Sequence, residues 1–162
     1  MLATTYGNVY VARVALGAGD MHTLKAFLEA EAYDGPSLII AYSHCIAHGY
    51  DMIHGLEQQK NAVNCGHWPL FRFNPELIKI GKNPFLLDSK PPTLALDRYI
   101  YNETRYSMLR HSNPKAAQRL LVEGQAEVMA RWKLYELRAA QNGASDPKPV
   151  VENEPAKETP YA

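Results

Sequence analysis

The chain has 162 residues, and its 17 Lys+Arg are matched by 17 Asp+Glu. That balance leaves no basic footprint for nucleic acid or an anionic membrane surface, and no apolar run is long enough to span a bilayer. Residues 1–7 lack the basic start and apolar centre of a signal peptide, and two cysteines, Cys45 and Cys65, do not make a secreted disulfide framework. The expectation is a cytoplasmic protein with no nucleic-acid or membrane partner, large enough to bury roughly 70% of its unfolded surface without a disulfide.

Residues 8–15 read as the first strand, with Val9 and Val11 on one side and Tyr10, Ala12 and Val14 on the other. Both sides are mostly apolar, as in a central strand of a parallel sheet. Gly17-Ala18-Gly19 breaks the run and Asp20 is a candidate N-cap. A helix is predicted over 21–33, with Leu24, Phe27, Leu28 and Ala32 inward and Lys25, Glu29 and Glu31 toward water. Asp34-Gly35-Pro36 stops it, and a second buried strand follows over 37–42. Strand, helix and strand in so short a span make a right-handed βαβ unit with parallel strands.

A second helix is predicted over 51–65, with Ile53, Leu56 and Val63 inward, and a short extended segment over 68–75. Residues 83–93 carry three prolines and read as a loop. A helix over 96–110 would turn Tyr99, Ile100, Tyr106 and Leu109 inward. Ser112-Asn113-Pro114 is a strong start for a final helix to about residue 140. Its stripe of Ala117, Leu121, Gly124, Val128, Trp132 and Tyr135, spaced by three and four, suits packing on a neighbour. Residues 141–162 are polar and proline-rich, which predicts disorder. Two buried strands and a short third are fewer than the usual four to six of an open sheet. The missing neighbours must then come from another chain or from sequence upstream.

Chemistry centres on Cys45, just past the end of the second strand, where ligands of open α/β sheets collect. Three readings stand: a small buried hydrophobe, a metal or cluster ligand, or a nucleophile assisted by His44 or His48. Residues 44 and 45 point in different directions in extended chain, so His44 is a poor base for Cys45. His44, Cys45, His48, His54, Cys65 and His67 invite a zinc reading, but no Cys-x-x-Cys pair is present. Gly17-Ala18-Gly19-Asp20 lacks the third glycine of a dinucleotide fingerprint, since position 22 is His22. Asp88 and Lys90 read as ordinary loop residues able to make contacts.

Several runs together resemble the C-terminal region of pyruvate:ferredoxin (flavodoxin) oxidoreductases. They are Thr5-Tyr6-Gly7-Asn8-Val9-Tyr10-Val11-Ala12, the stretch from Phe27 through Asp34-Gly35-Pro36 to Tyr42, and Cys45-Ile46 with Gly49. Trp68-Pro69-Leu70-Phe71-Arg72, Gly81-Lys82-Asn83-Pro84-Phe85 and Leu87-Asp88-Ser89-Lys90 complete the set. The resemblance implies a large cytoplasmic enzyme that decarboxylates pyruvate on thiamine diphosphate with magnesium and forms acetyl-CoA. It passes electrons through 4Fe–4S clusters to ferredoxin or flavodoxin. It also implies that Cys45 is the metal and cofactor ligand here, to the cluster nearest the thiamine. The diphosphate and magnesium motifs, and the other cysteine ligands, would lie upstream, and one thiolate does not hold a four-iron cluster alone.

The fold class expected is α/β: a partial parallel sheet of the thiamine-diphosphate-enzyme type, a helical extension and a disordered tail. Residues 1–75 would be the C-terminal βαβ part of the thiamine-diphosphate-binding domain, 76–140 the loop and helical extension, and 141–162 the tail. Alone, the chain is expected to carry no bound cofactor and no activity. Its partner would be the upstream part of the same enzyme, homo-oligomeric when complete. The rival readings are a non-catalytic interaction module with a sticky sheet edge and a small zinc or thiol protein.

Overall fold

A computed structural model describes residues 1–141; the predicted disordered tail, beyond Gln141, lies outside the described residues. The architecture is α/β, built on a four-stranded sheet of order β2-β1-β3-β4. Strand β1 (Tyr10–Val14) pairs in parallel with β2 (Ser37–Ala41) and antiparallel with β3 (Phe71–Phe73), and β4 (Phe85–Leu87) runs antiparallel to β3. The expected parallel sheet is therefore a single parallel pair within a mixed sheet. Helix α2 (Gly55–Asn64) lies at the carboxyl ends of β1 and β2 and the chain descends straight from it. A strand entered from that end without a crossover must run antiparallel. Strand β4 falls inside the predicted proline-rich loop: Asn83 Oδ1 accepts from the Phe85 amide, and Phe85 stacks on Phe71 with ring centroids 5.2 Å apart.

Strand β1 is buried on both faces, with the predicted division. Val11 joins Phe71, Phe73, Phe85 and Tyr135, while Tyr10, Ala12 and Val14 pack with Ala26. Strand β2 departs from expectation. Ser37, Leu38 and Ala41 are exposed, because no strand covers its outer edge among the described residues. Helix α1 (Asp20–Ala32) departs as well. It meets the sheet through the small side chain of Ala26, with Ala30 beside it. Leu24, Phe27, Leu28 and Ala32, expected inside, face outward, and Phe27 is 53% exposed.

The remaining helices form α3 (Glu76–Lys79), α4 (Asp97–Ile100), α5 (Thr104–Ser112) and α6 (Pro114–Ala140). The helix predicted over 96–110 is broken because Glu103 turns fully inward. Gln58 Nε2 donates to Glu103 Oε1 at 3.0 Å and to the Tyr99 carbonyl at 2.9 Å. Helix α6 opens as predicted, with Asn113 Oδ1 accepting from the Ala116 amide and proline in the first turn. Of its stripe, Ala117, Val128, Trp132 and Tyr135 are buried, and Leu121 and Gly124 partly so. In α2 the pattern inverts: Ile53, just before it, is 81% exposed and Leu56 is exposed, while Gln58 and Gln59 are buried and only Val63 meets expectation. No helix among the described residues is long and apolar enough to cross a membrane.

Helix α1 is fastened to the sheet by charge. Arg72 on β3 is buried, and its guanidinium donates to Glu29 at 2.6 Å and to both oxygens of Asp88 at 2.7 and 3.0 Å. His22 bonds Asp88 at 3.0 Å, and the Tyr10 hydroxyl donates to Glu29 at 3.0 Å. Burial pushes the Asp88 carboxyl up, but the bonds from His22 and Arg72 outweigh it and hold it below the ordinary aspartate range. Arg72→Met leaves two carboxylates without their cation and is expected to destabilise the chain by about 3–5 kcal/mol in urea unfolding. Because the folded pKa of Asp88 is depressed, its contribution is present above the unfolded aspartate pKa and lost as pH falls through the folded value. The stability gap between wild type and Asp88→Asn should accordingly close on acidification. A loss under about 1 kcal/mol for Arg72→Met, the scale of an exposed pair, contradicts the assignment.

Candidate functional site

The parallel pair sends both of its carboxyl ends to one rim of the sheet, where two loops lie side by side. The loop after β1 contains Gly17, where a Cβ would collide with the backbone of Leu56, so α2 rests directly on it. The loop after β2 carries Tyr42 to Gly49. Gln59 ties the two together: its Oε1 accepts from the Gly17 amide at 2.8 Å, and its Nε2 donates to His44 Nδ1 at 2.9 Å. The His44 ring lies over Gly55, where an added Cβ would come within 2.8 Å of it. Below it, the Tyr42 hydroxyl bonds that of Tyr99 at 2.7 Å.

Cys45 follows His44 in extended conformation and faces solvent, whereas His44 is turned inward to Gln59. The two side chains diverge as the extended chain requires. The Cys45 Sγ accepts from the Ala47 amide at 3.4 Å, which opens a short 3-10 turn over Ile46–His48. Gly49 closes the turn at φ 74°, a left-handed conformation suited to glycine. The Gly49 carbonyl accepts both the amide and the hydroxyl of Thr104. The thiol loop is thus held at one side by the buried glutamine and at the other by the first residue of α5. Beside it, His48 Nδ1 and the Tyr50 hydroxyl are buried with no partner among the described residues.

The other zinc candidates are dispersed. Cys65 is buried, donates to the Ala62 carbonyl at 3.4 Å, and burial pushes its thiol up to about 11 despite backbone bonds that oppose the shift. His54 pairs with Glu57 at 3.4 Å on the surface. His67 packs on Tyr99 with ring centroids 5.1 Å apart; burial first, then Arg131, Arg13 and Arg105, holds it down to about 4. Among the described residues no three His, Cys, Asp or Glu side chains come together to hold a metal. Asp20 stands as the first residue of α1, with Gly19 at the cap position, and its carboxylate accepts from the Met21 amide at 2.7 Å. Asp88 belongs to the Arg72 cluster. Gln58 and Gln59 were not legible as site residues, since nothing in the spacing of two adjacent glutamines marks them as buried braces.

No family model matches the chain. Among curated proteins, it is 56% identical over 141 residues to a pyruvate-flavodoxin oxidoreductase of Trichormus variabilis. It is equally identical over the same length to one of a Nostoc species, and 47% identical over 135 residues to the pyruvate:ferredoxin oxidoreductase of Moorella thermoacetica. The alignments cover 87%, 87% and 83% of this chain but only 12% of each relative. The chain is homologous to one small segment of these oxidoreductases.

The two thiols should separate cleanly toward an alkylating agent. Iodoacetamide on the native protein is expected to modify the exposed Cys45 and spare the buried Cys65, whose raised pKa alone cuts its thiolate fraction at neutral pH on the order of 100-fold below that of an unperturbed thiol. Peptide mass spectrometry after timed quenching reads this, and equal rates in the native state contradict the placement.

Proposed function

We propose that this chain is one segment of a 2-oxoacid, namely pyruvate, oxidoreductase of the ferredoxin or flavodoxin type, inactive alone. In the assembled cytoplasmic enzyme its Cys45 thiolate is one ligand of a 4Fe–4S cluster. The observation that carries the reading is an outward-facing thiol at the carboxyl rim of the parallel pair, in a chain 56% identical to a pyruvate-flavodoxin oxidoreductase. A 4Fe–4S cluster supplies one-electron transfer when bound, and its ligands are usually thiolates.

The residues fit one corner of such a group. Cys45 offers its Sγ outward, and the Ala47 amide directed at that sulfur is the kind of N–H···S contact that stabilises thiolate charge and adjusts a cluster's potential. Gln59 and Thr104 hold the loop so that the sulfur keeps one position. The described residues contain no further thiolate on the rim, so the other ligands come from the rest of the enzyme. In this reading thiamine diphosphate and its magnesium are held by that same remainder, where the resemblance puts their motifs. This chain's part is to position one ligand and to cover one side of the site.

The uncovered apolar surface supports the same reading. Leu38 on the free edge of β2, Phe27 and Leu28 on α1, and Ile46 and Ile53 near the thiol are all exposed. Such clustered exposure marks a surface meant for a partner. The relatives extend far beyond the matched 12%, and their remaining length is the occupant this face fits. A division at about residue 75 would leave β1, β2 and β3 before it and β4 with the helical extension after it. The resemblance adds CoA and ferredoxin or flavodoxin as partners of the complete, homo-oligomeric enzyme.

The test is anaerobic co-production of this chain with the remaining segment, followed by iron analysis and pyruvate-dependent reduction of ferredoxin. Cys45→Ala is expected to lose one cluster's iron and to slow ferredoxin reduction by at least about 100-fold, while the complex still assembles. Iron content and electron transfer equal to wild type in the Cys45→Ala complex overturn the ligand assignment. Failure of the two segments to associate overturns the segment reading.

A further inference from the structure

On the other side of α5, away from the thiol loop, α4 and α5 leave a cleft against α6 of about 340 Å³. Its walls are apolar, from Leu96, Ile100, Leu109, Leu121 and Val128. Its polar groups include the hydroxyls of Tyr101 and Tyr106 and two guanidiniums. Arg105 and Arg131 line it together with His67 and the exposed Glu127. Arg105 is committed to the buried Glu103 through a short ion pair. Arg131 has no carboxylate within salt-bridge distance among the described residues, and its Nε is buried without a hydrogen-bond partner.

Arg13 repeats the situation next door. Its guanidinium lies over the Trp68 ring at 3.7 Å, it reaches the His67 carbonyl at 3.4 Å, and its Nε is also buried and unpartnered. The charged groups acting on His67 are Arg131, Arg13 and Arg105 against the single carboxylate of Glu103. Two half-buried guanidiniums, each with a buried Nε lacking an acceptor and neither with a carboxylate partner among the described residues, carry a cost that an anion placed among them would relieve. A cleft with apolar walls and a few convergent polar groups is the usual form of a small-molecule site, and this volume lies at the lower end of the range.

We propose that this cleft binds a small organic monoanion, a carboxylate on a short hydrocarbon body, with the carboxylate at Arg131 beside His67 and the body between α4 and α6. Guanidinium is the side chain whose planar donor fork matches a carboxylate in two hydrogen bonds. A neutral imidazole next to it presents no competing charge and can donate a third. The site lies apart from Cys45 and needs no cluster, so its test is independent of the oxidoreductase reading.

Hexanoate serves as the probe, titrated into the full chain by calorimetry and by NMR of the histidine ring protons. A Kd on the order of 1 mM is expected, within reach of a ligand with so few non-hydrogen atoms. Hexan-1-ol, with the same body and no charge, should bind at least about tenfold more weakly, and Arg131→Gln should lose a similar factor for hexanoate. Gly124→Leu, which fills the cleft and replaces a helix glycine with a better helix former, should abolish binding with the fold intact. Bound hexanoate should also raise the midpoint of the His67 titration from its depressed value, since a carboxylate favours the imidazolium. No binding of hexanoate, equal binding of hexan-1-ol, or affinity unchanged in Gly124→Leu overturns the proposal. If Arg131→Gln does not fold, Gly124→Leu and the alcohol decide it alone.

Discussion

One buried carboxamide sets the geometry of the candidate site. Gln59 accepts from the loop after β1 and donates to the loop after β2, so the two carboxyl ends of the parallel pair share one clasp. Neither loop is regular, and past Tyr42, which packs edge-on to Trp68, neither sends a large apolar side chain into the core. Their separation is therefore fixed by a pair of hydrogen bonds and by the close approach of α2 to Gly17 and of His44 to Gly55. An unmade bond to a buried amide costs more than a made one gains, which is why such a clasp holds a single arrangement. The outward direction of the thiol follows from it. With His44 drawn inward, the next residue of an extended chain must point away.

The features legible in the sequence were those that one short stretch dictates by itself. The two-sided apolar run of β1 required burial on both faces, and the structure buries Val11 against the phenylalanines and Tyr10, Ala12 and Val14 against Ala26. The three-and-four spacing on α6 marked its packed stripe, and Asn113-Pro114 marked its start. The rim position and divergence of Cys45 and His44 followed from the strand end and the twofold alternation of extended chain. What was not legible depends on partners distant in sequence. Periodicity reported that α1 has an apolar stripe, but not whether the sheet of this chain or another surface takes it. The sheet takes the small alanines instead. Gln58 and Gln59 lie inside because Tyr99, Glu103, Gly17 and His44 need them there, and no local pattern encodes those needs. The antiparallel course of β3 and the existence of β4 are likewise products of where α2 deposits the chain.

The described residues leave much apolar surface outside their core. The interior is divided into small groups, each of a handful of side chains around β1, α2 and α6. Against these stand large apolar side chains left in water on α1, on β2 and beside the thiol. A free strand edge combined with an apolar helix face is a surface that a self-contained protein normally blunts with charge or covers. The chain runs directly from this edge strand into the loop carrying Cys45, where Ile46 is exposed too.

The molecule uses two fastenings of opposite character. Arg72, Glu29, Asp88 and His22 join α1 to the sheet through full charges and an imidazole, whereas the rim is joined by the uncharged amide of Gln59. An amide neither gains nor loses protons across the biological range, and dissolved electrolyte barely weakens it. Only acid strong enough to protonate Asp88, below the ordinary aspartate range, would slacken the outer helix's charged fastening, whereas the bond between Gln59 and the Gly17 amide has no proton to gain there.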